Sequence, residues 1–494
     1  MDDRLLPHTW RPSLPALAFG LSALAAALLF PVRFLNGDGD AARHLRHGEV
    51  ILGAGEVIRT DPFSYTRPGE PFVGFEYGMQ VTMALAHRVA GLAGVTILAS
   101  LLIGAAYGLL ARFLVKRGVD HRLAFLATLA AALLGMWHWV ARPHLVTFVA
   151  IVLLLDLLER ERPAPRWAFG LLFIGWVNLH GGWVYGLALI GIYFVGRVAE
   201  ASLAAGRLRV DGLARRYLSL LGVGAAASLL TPYGLGTPRH LIHHLFGDPY
   251  LFEATAEFLS PDFHAPGMKP FLAAILLMAA LYAAGKVRPR MTHLLVILAN
   301  LALALGAARQ IAIFGLTAVP LLALQLNAAL QERAASPGRP PAGPATTWPW
   351  VAAATGLLLA LGMAWRTAGG RALIPDRFDP GVFPVAAVDS ARRAGLTGRI
   401  FHEFTWGGYL LYAWPEQQVF IDGGTDFYGG ALLRTFQEIR AAGPQWREKL
   451  DQWRVSIALL DRNGPLAAEL AREPGWRVWY RDSTAVLLRR EPGP

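Results

Sequence analysis

The chain of 494 residues contains no cysteine. That excludes disulfide bridges, thiolate metal sites and cysteine nucleophiles. Charge is scarce too: 16% of residues are Asp, Glu, Lys or Arg against 54% hydrophobic, and the mean hydropathy is positive. Soluble domains carry a larger charged fraction, so a soluble enzyme is excluded and an integral membrane protein is expected. No internal repeat of fixed period is visible, which argues against a transporter built from inverted repeats. Ionisable residues are nearly missing at mid-span: Asp156 lies near the inner end of its run and Asn300 is the main polar residue at depth. No polar pathway across a bilayer is therefore apparent. The first apolar run ends in "LLFPVRFLNGDGD", without a small-residue cleavage site, and is expected to be a span rather than a removed signal peptide.

A hydrocarbon core about 30 Å thick needs roughly 20 mostly apolar residues per helix. Such runs lie near 14–35, 94–114, 121–141, 145–159, 166–179, 183–199, 215–231, 270–285, 291–306, 311–330 and 349–366. They predict about eleven transmembrane helices, of which 145–159 and 166–179 are short. The net charge of +11 suggests nucleic acid at first sight. Its placement points elsewhere: "ARFLVKRGVDHR", "ERERPAPR", "RLRVDGLARR" and "KVRPR" occupy alternate loops, while the intervening short turns carry single charges such as Arg142 and Arg309. This is the positive-inside pattern, so the amino terminus is expected in the cytoplasm and, with an odd span count, the carboxyl-terminal part outside. No nucleic-acid partner is expected.

These runs divide the chain into a membrane domain, 1–369, and an external α/β domain, 370–494. Two large external loops, 36–93 and 232–269, interrupt the first, and a Pro, Gly, Ala and Thr linker, 331–347, is expected on the inner side. Loop 36–93 has a helical stretch from Asp40 to Gly53, a turn-rich hinge and an amphipathic helix from Glu76 to Ala90. In the tail, 399–404, 417–422 and 455–461 read as strands, 431–442 as an amphipathic helix, and 475–490 as a hairpin turning at Arg481–Asp482–Ser483.

The stretch "NGDGDAARHLRHG", residues 36–48, places two carboxylates, two histidines and two arginines where the first span leaves the membrane. Asp40 stands where an N-cap belongs, and Asp38 can serve a turn. Ionisable groups at the membrane face are costly unless paired or used, and this loop concentrates Asp38, Asp40, Arg43, His44 and Asp61. Glu257 offers a second acid in the other large loop, although a lone glutamate there also reads as a solvated loop charge. Cationic and polar partners stand at the outer ends of spans: Arg142, His144, Asn178, His180, His240, His243, His244 and Arg309. Singly, each fits an interfacial residue. Together, acids beside cations at one membrane surface suit transfer from a lipid-linked phosphate, with a carboxylate to deprotonate the acceptor and positive charge to stabilise the leaving phosphate.

The segment "DGDAARHLRHGEVILGAGEVIRTDPFSYTRPGEPF" resembles the first external loop of oligosaccharyltransferase catalytic subunits, particularly the archaeal ones, where an acidic pair precedes a helix and an Asp-Pro turn. "TAE", 255–257, is similar to the glutamate-ending motif of their later loop, and "FTWGGYLLYAWPEQQVFIDGGTDFYG", 404–429, resembles the element that opens their external domain. The pattern fits the GT-C superfamily of polyprenyl-phosphate-dependent glycosyltransferases, and most resembles a broad group of bacterial multispan proteins placed there. The resemblance implies a GT-C-like polytopic helical fold in the cytoplasmic membrane, with the tail in the periplasm. It implies a polyprenyl-phosphate-linked sugar as donor and a glycan, lipid or protein as acceptor. By position it makes Asp40 the catalytic or metal-binding aspartate, Asp38 the outer member of its pair and Glu257 the later glutamate, with a divalent cation, Mg or Mn, at Asp40 and Glu257. His44, Arg142, His144, Asn178, His180, His244 and Arg309 would bind substrate, with Trp406 and Tyr409 presenting the acceptor from the tail.

This sequence departs from the pattern in three places. The aromatic pair after the acid is Ala41–Ala42, the second acidic motif is absent from "WHWVARPHL", and the tail element, Thr405 to Tyr409, lacks its aspartate. The missing second acidic motif tells against a three-carboxylate metal site and leaves Arg142 and His144 to contact phosphate. Asparagine glycosylation is not carried over. Beside a transferase, two further readings stand open: a non-catalytic accessory subunit that binds glycan or lipid, and a lipid or solute transporter.

Overall fold

The computed structural model describes residues 13–29, 31–37, 39–285, 287, 289–334, 348–365 and 372–491. Asp38 and linker positions 335–347 lie outside the described residues.

The first apolar run forms α1 (Leu14–Leu29) and the short α2 (Pro31–Asn36), the second begun by a proline, which has no N–H to give the turn before it. The first loop begins with α3 (Asp40–Ala54). Helix α4 (Tyr77–Lys116) is broken where Ala90 leaves helical geometry and Gly91 takes φ +60°. Only glycine adopts that conformation without strain, so the break divides the amphipathic helix foreseen up to Ala90 from the span that follows.

There follow α5 (His121–Gly135), α6 (Leu145–Leu158), α7 (Arg166–Leu179), α8 (Trp183–Ala205), α9 (Gly212–Ala227), α10 (Gly236–Phe246), α11 (Tyr250–Glu253), α12 (Lys269–Ala283), α13 (Met291–Gly306), α14 (Ile311–Ala334) and α15 (Trp348–Ala364). Caps set two of the starts: Asp120 accepts from Arg122 N at the head of α5, and Asp211 accepts from Ala214 N at the head of α9, both at 2.9 Å. Helix α5 stops before the run 121–141 is complete and gives way to a 3-10 turn, Met136–His138. The chain then turns at Arg142.

Among the described residues four helical stretches, Tyr77–Lys116, Trp183–Ala205, Pro266–Ala283 and Ala308–Glu332, are long and apolar enough to cross a bilayer. Shorter apolar helices, including α1, α6, α7 and α13, pack among them. The chain is a multi-pass membrane protein. Its helices approach closely through small residues, as Ala16, Ala23, Ala26 and Ala27 of α1 are fully buried. Linker positions 331–334 continue α14 as helix, so the inner linker starts later than composition suggests.

The carboxyl-terminal part comprises α16 (Val385–Arg393), β1 (Arg399–His402), α17 (Gly407–Ala413), α18 (Thr425–Arg440), α19 (Trp446–Gln452), β2 (Val455–Asp461), α20 (Pro465–Leu470), β3 (Trp476–Arg481) and β4 (Ala485–Arg490). The strands form one sheet in the order β1-β2-β4-β3, with β1 parallel to β2 and the other pairs antiparallel. Alternate side chains serve two cores, as the pleat dictates. Ile400, Ile457, Leu459 and Leu487 join a core with Phe378, Phe383 and Tyr409. Phe401, Ala458, Leu460, Val486 and Leu488 face a second, with Phe420, Phe436 and Trp446.

Residues 417–422, expected as a strand, do not join this sheet. Val419, Phe420 and Ile421 are all fully buried, so the segment has no solvent face to alternate with, and its backbone groups pair with the first loop instead. Val419 N–H donates to Phe63 O at 3.0 Å and Tyr65 N–H to Val419 O at 3.2 Å. Thr66 Oγ1 donates to Phe420 O at 2.7 Å and the Tyr65 hydroxyl to Ile400 O at 2.9 Å. Tyr65 is a member of the second core. The first loop and the tail are thus folded as one body.

Candidate functional site

The two large loops, the carboxyl-terminal part and the turns between helices meet at one end of the bundle. Asp40 is the first residue of α3; Gly39 holds the N-cap position without a side-chain cap. The Asp40 carboxylate faces arginines: Oδ1 lies 3.4 Å from Arg43 Nε and Oδ2 lies 3.3 Å from Arg142 Nη2. The other terminal nitrogen of Arg142, Nη1, lies 3.5 Å from Glu257 Oε2. Glu257 Oε1 in turn lies 3.4 Å from Arg309 Nη1, and the Arg309 guanidinium sits over the Phe258 ring at 4.6 Å. Two acids contributed more than 200 residues apart are therefore held by a single guanidinium.

Burial works against an ionised Asp40, but Arg142 and Arg43 outweigh it and hold this carboxyl below its ordinary range. The acid is ionised at neutral pH. Beside it, Asp422 lies 3.9 Å from Arg43 Nε and accepts from Gly424 N–H at 2.7 Å and the Tyr428 hydroxyl at 3.0 Å. Burial dominates there and pushes Asp422 up to about 6 despite Arg43. Asp426 also suffers burial, but the His240 hydrogen bond at 2.8 Å and the charges of His240, His244 and Arg43 bring it down to about 2.

Glu76 occupies a third buried position, 3.4 Å from His180 Nε2 and 3.7 Å from His44 Nδ1. These contacts are not ion pairs at neutral pH. Burial holds His44 well below its usual value and His180 at about 3, so both imidazoles are neutral, and burial raises Glu76 to about 7. The His180 tautomer follows from its partners: Nδ1 accepts from Gly182 N–H at 3.0 Å and meets Thr147 Oγ1 at 2.8 Å, leaving the proton on Nε2 toward Glu76.

Next to the Arg142–Glu257–Arg309 group opens a cavity of about 320 Å³. Its walls are apolar, with Leu133, Trp137, Phe271 and Ile311, and its polar end is formed by Arg142, Glu257 and Arg309. A hydrocarbon chain with an anionic head matches that division.

Of the residues singled out from sequence, Asp40, Glu257, Arg142 and Arg309 meet directly, and His44 and His180 stand behind them. His144 lies deeper, its Nε2 bonded to His138 O at 2.9 Å. The His244 ring packs on Phe252 and Phe258 near Asp426. The remaining expectations meet the following surroundings. Asn178 accepts from the Tyr77 hydroxyl at 2.6 Å and donates to Ile174 O and Leu230 O. Trp406 and Tyr409 are buried in the tail: Trp406 Nε1 donates to Val382 O at 2.9 Å, and Tyr409 stacks on Phe383 at 5.0 Å. Their glycine neighbours do the work at the seam, where a Cβ on Gly408 would fall 2.2 Å from Gly39 O. The expected cation at Asp40 and Glu257 does not fit the donor set either, because the oxygens of both acids face guanidiniums. Among the described residues no group of three His, Asp or Glu is disposed to hold a metal ion.

Glu76, Asp422 and Asp426 were not among the sequence candidates. Asp422 and Asp426 stand in the quoted "FIDGGTDFYG", and only the long-range pairing of 63–65 with Val419 shows that this segment faces Asp40.

No family model matches the sequence, and no curated protein matches it. Solved structures do resemble the fold. The archaeal oligosaccharyltransferase AglB from Archaeoglobus fulgidus, in complex with an inhibitory peptide and a dolichol-phosphate, superposes with a TM-score of 0.55 at 13% identity. That match covers 90% of this chain and 69% of the other. The apo form of the Archaeoglobus fulgidus oligosaccharyltransferase gives 0.50 at 13% identity over the same shares. ArnT from Cupriavidus metallidurans bound to undecaprenyl phosphate covers 96% of this chain and 97% of that one, with a TM-score of 0.47 and 14% identity. The fold resembles that of the archaeal oligosaccharyltransferase AglB. That likeness in fold, at 13% identity, agrees with the resemblance carried by the loop motifs.

Proposed function

We propose that this chain moves a sugar from a polyprenyl-phosphate-linked donor to an acceptor at the outer face of a bacterial cytoplasmic membrane. The observation that carries the reading is the Arg142 guanidinium between Asp40 and Glu257 at the polar end of an apolar cavity. The dolichol-phosphate in the AglB complex supports a lipid phosphate as the ligand of this fold. In this reading the donor's phosphate lies against Arg142 and Arg309 and its lipid runs along the cavity wall. The ionised Asp40 takes the proton of the acceptor's nucleophile. A bond forms between that atom and the sugar's anomeric carbon, the bond from that carbon to the phosphate oxygen breaks, and the electron pair leaves on the phosphate, where the two arginines stabilise it. Glu257 keeps Arg142 and Arg309 in place.

The test is a strain lacking the gene, analysed by mass spectrometry of envelope lipids and glycans. A polyprenyl-linked sugar should accumulate and one glycan should lose a residue. The wild-type gene should reverse both, and Asp40→Asn should reverse neither while the protein reaches normal membrane levels. Full complementation by Asp40→Asn would reject the role of Asp40. The accessory reading is favoured by one observation, that arginines face both acids. It predicts saturable binding of the lipid-linked sugar to purified protein with the donor recovered intact.

A further inference from the structure

A divalent cation bound by carboxylates takes their oxygens at about 2.0–2.6 Å and completes its shell with further oxygens. In this centre all four oxygens of the two acids already face guanidinium nitrogens. Asp40 Oδ1 meets Arg43, Asp40 Oδ2 and Glu257 Oε2 meet the two terminal nitrogens of Arg142, and Glu257 Oε1 meets Arg309, at 3.3–3.5 Å. The bridging position between the acids is taken by Arg142. A cation entering it would have to displace a guanidinium and lie beside Arg43, Arg142 and Arg309, whose nearest carboxylates, Asp40, Glu257 and Asp422, are already engaged by them, with Asp426 and Glu76 further around the centre. The turn carrying Arg142, "WHWVARPHL", offers no carboxylate as a third ligand.

We infer that the Arg142 guanidinium stands in the place of a bridging divalent cation, and that this centre binds and activates a lipid-linked phosphate without a resident metal. The inference rests on the transfer reading for its activity arm and is independent of it for metal binding. A guanidinium differs from a metal in kind: it stays charged at every working pH, offers two parallel donors to a phosphate, and cannot be removed by chelation. Stabilisation of the leaving phosphate would then depend on Arg142 and Arg309 alone.

The experiment titrates purified full-length protein, freed of metal, with Mn²⁺ and follows free ion by electron paramagnetic resonance. Wild-type protein should show no stoichiometric site. Arg142→Ala, which removes the bridge and leaves two facing acids, should bind Mn²⁺ at least tenfold more tightly than wild type, and Glu257→Gln added to it should abolish the gain. Arg142→Lys keeps a charge in place and should resemble wild type in Mn²⁺ binding; it also serves if the alanine variant fails to fold. Transfer by wild type should persist within twofold in excess EDTA and fall at least a hundredfold in Arg142→Ala. One tight Mn²⁺ per wild-type chain, lost in Asp40→Asn, would overturn the inference. So would EDTA-abolished transfer restored by Mn²⁺, or equal Mn²⁺ binding by wild type and Arg142→Ala. Absence of transfer both with and without EDTA would reject the transfer reading, while the Mn²⁺ titration still decides the metal question.

Discussion

Gly423 lies directly against the carboxylate of Asp40, so that a Cβ at position 423 would fall 1.9 Å from Asp40 Oδ1. No heavy atom tolerates such an approach, and Asp40 is held on its other sides by Arg43 and Arg142. Gly423→Ala should therefore move the carboxylate rather than unfold the chain. Transfer is expected to fall at least tenfold, with thermal unfolding shifted by only a few degrees. Unchanged transfer would show that Asp40 has room to move without loss.

Glu76 gives the site a pH dependence. Its folded pKa of about 7 lies above the ordinary 4.5 because burial disfavours the charged form. The stability it supports is complete below the ordinary value and is lost as pH rises through about 7. The loss is on the order of 3 kcal/mol at roughly 1.4 kcal/mol per pKa unit. Glu76→Gln should flatten the fall in thermal stability between pH 5 and 8 relative to wild type. Parallel curves for the two proteins would exclude Glu76 as the titrating group.

Asp426 behaves in the opposite sense. Its pKa is depressed to about 2, so its contribution is present above the ordinary 3.8 and fades as pH falls through about 2. Removing its partner with His240→Ala leaves a buried carboxylate short of a hydrogen bond, at a cost of about 1–3 kcal/mol near neutral pH. The gap between wild type and variant, measured by chemical unfolding in detergent, should narrow as pH drops below about 4. A gap that widens on acidification would contradict the assignment.

Two glycines predict opposite signs. Gly91 takes φ +60° at the break in α4, and an alanine there should destabilise by about 1 kcal/mol or more. Gly53 sits in the last turn of α3, with nothing within 4 Å of a built Cβ and no positive φ. Gly53→Ala should stabilise by about 0.5–1 kcal/mol, because alanine restricts the unfolded chain without meeting an obstacle. Thermal unfolding of the two variants side by side tests the pair.

Much of the helical framework was legible because apolar runs and their breaks leave local traces: among the described residues each run overlaps a helix, and the end of the amphipathic segment falls at Ala90. The meeting of Asp40, Arg142, Glu257 and Arg309 was legible from alternation, since Asp40, Arg142 and Arg309 stand at same-sided ends of apolar runs and Glu257 in a large loop on that side. What sequence could not provide was the surface beneath Asp40. That surface depends on Val419 pairing with Phe63 and Tyr65, more than 350 residues away, a contact with no local signature. The same gap explains Trp406 and Tyr409: aromatic residues near a motif suggested a ligand face, whereas their burial against Val382 and Phe383 is a matter of tertiary packing.

The pairing of the first loop with residues 419–420 also bears on biogenesis. A nascent chain that has made only its early helices carries Asp40 on a helix with no floor. The floor arrives with Gly423, near the end of synthesis, so the centre closes after nearly everything else is in place. A chain that stops short of Gly423 already carries Arg142, Glu257 and Arg309 but lacks the surface on which Asp40 rests.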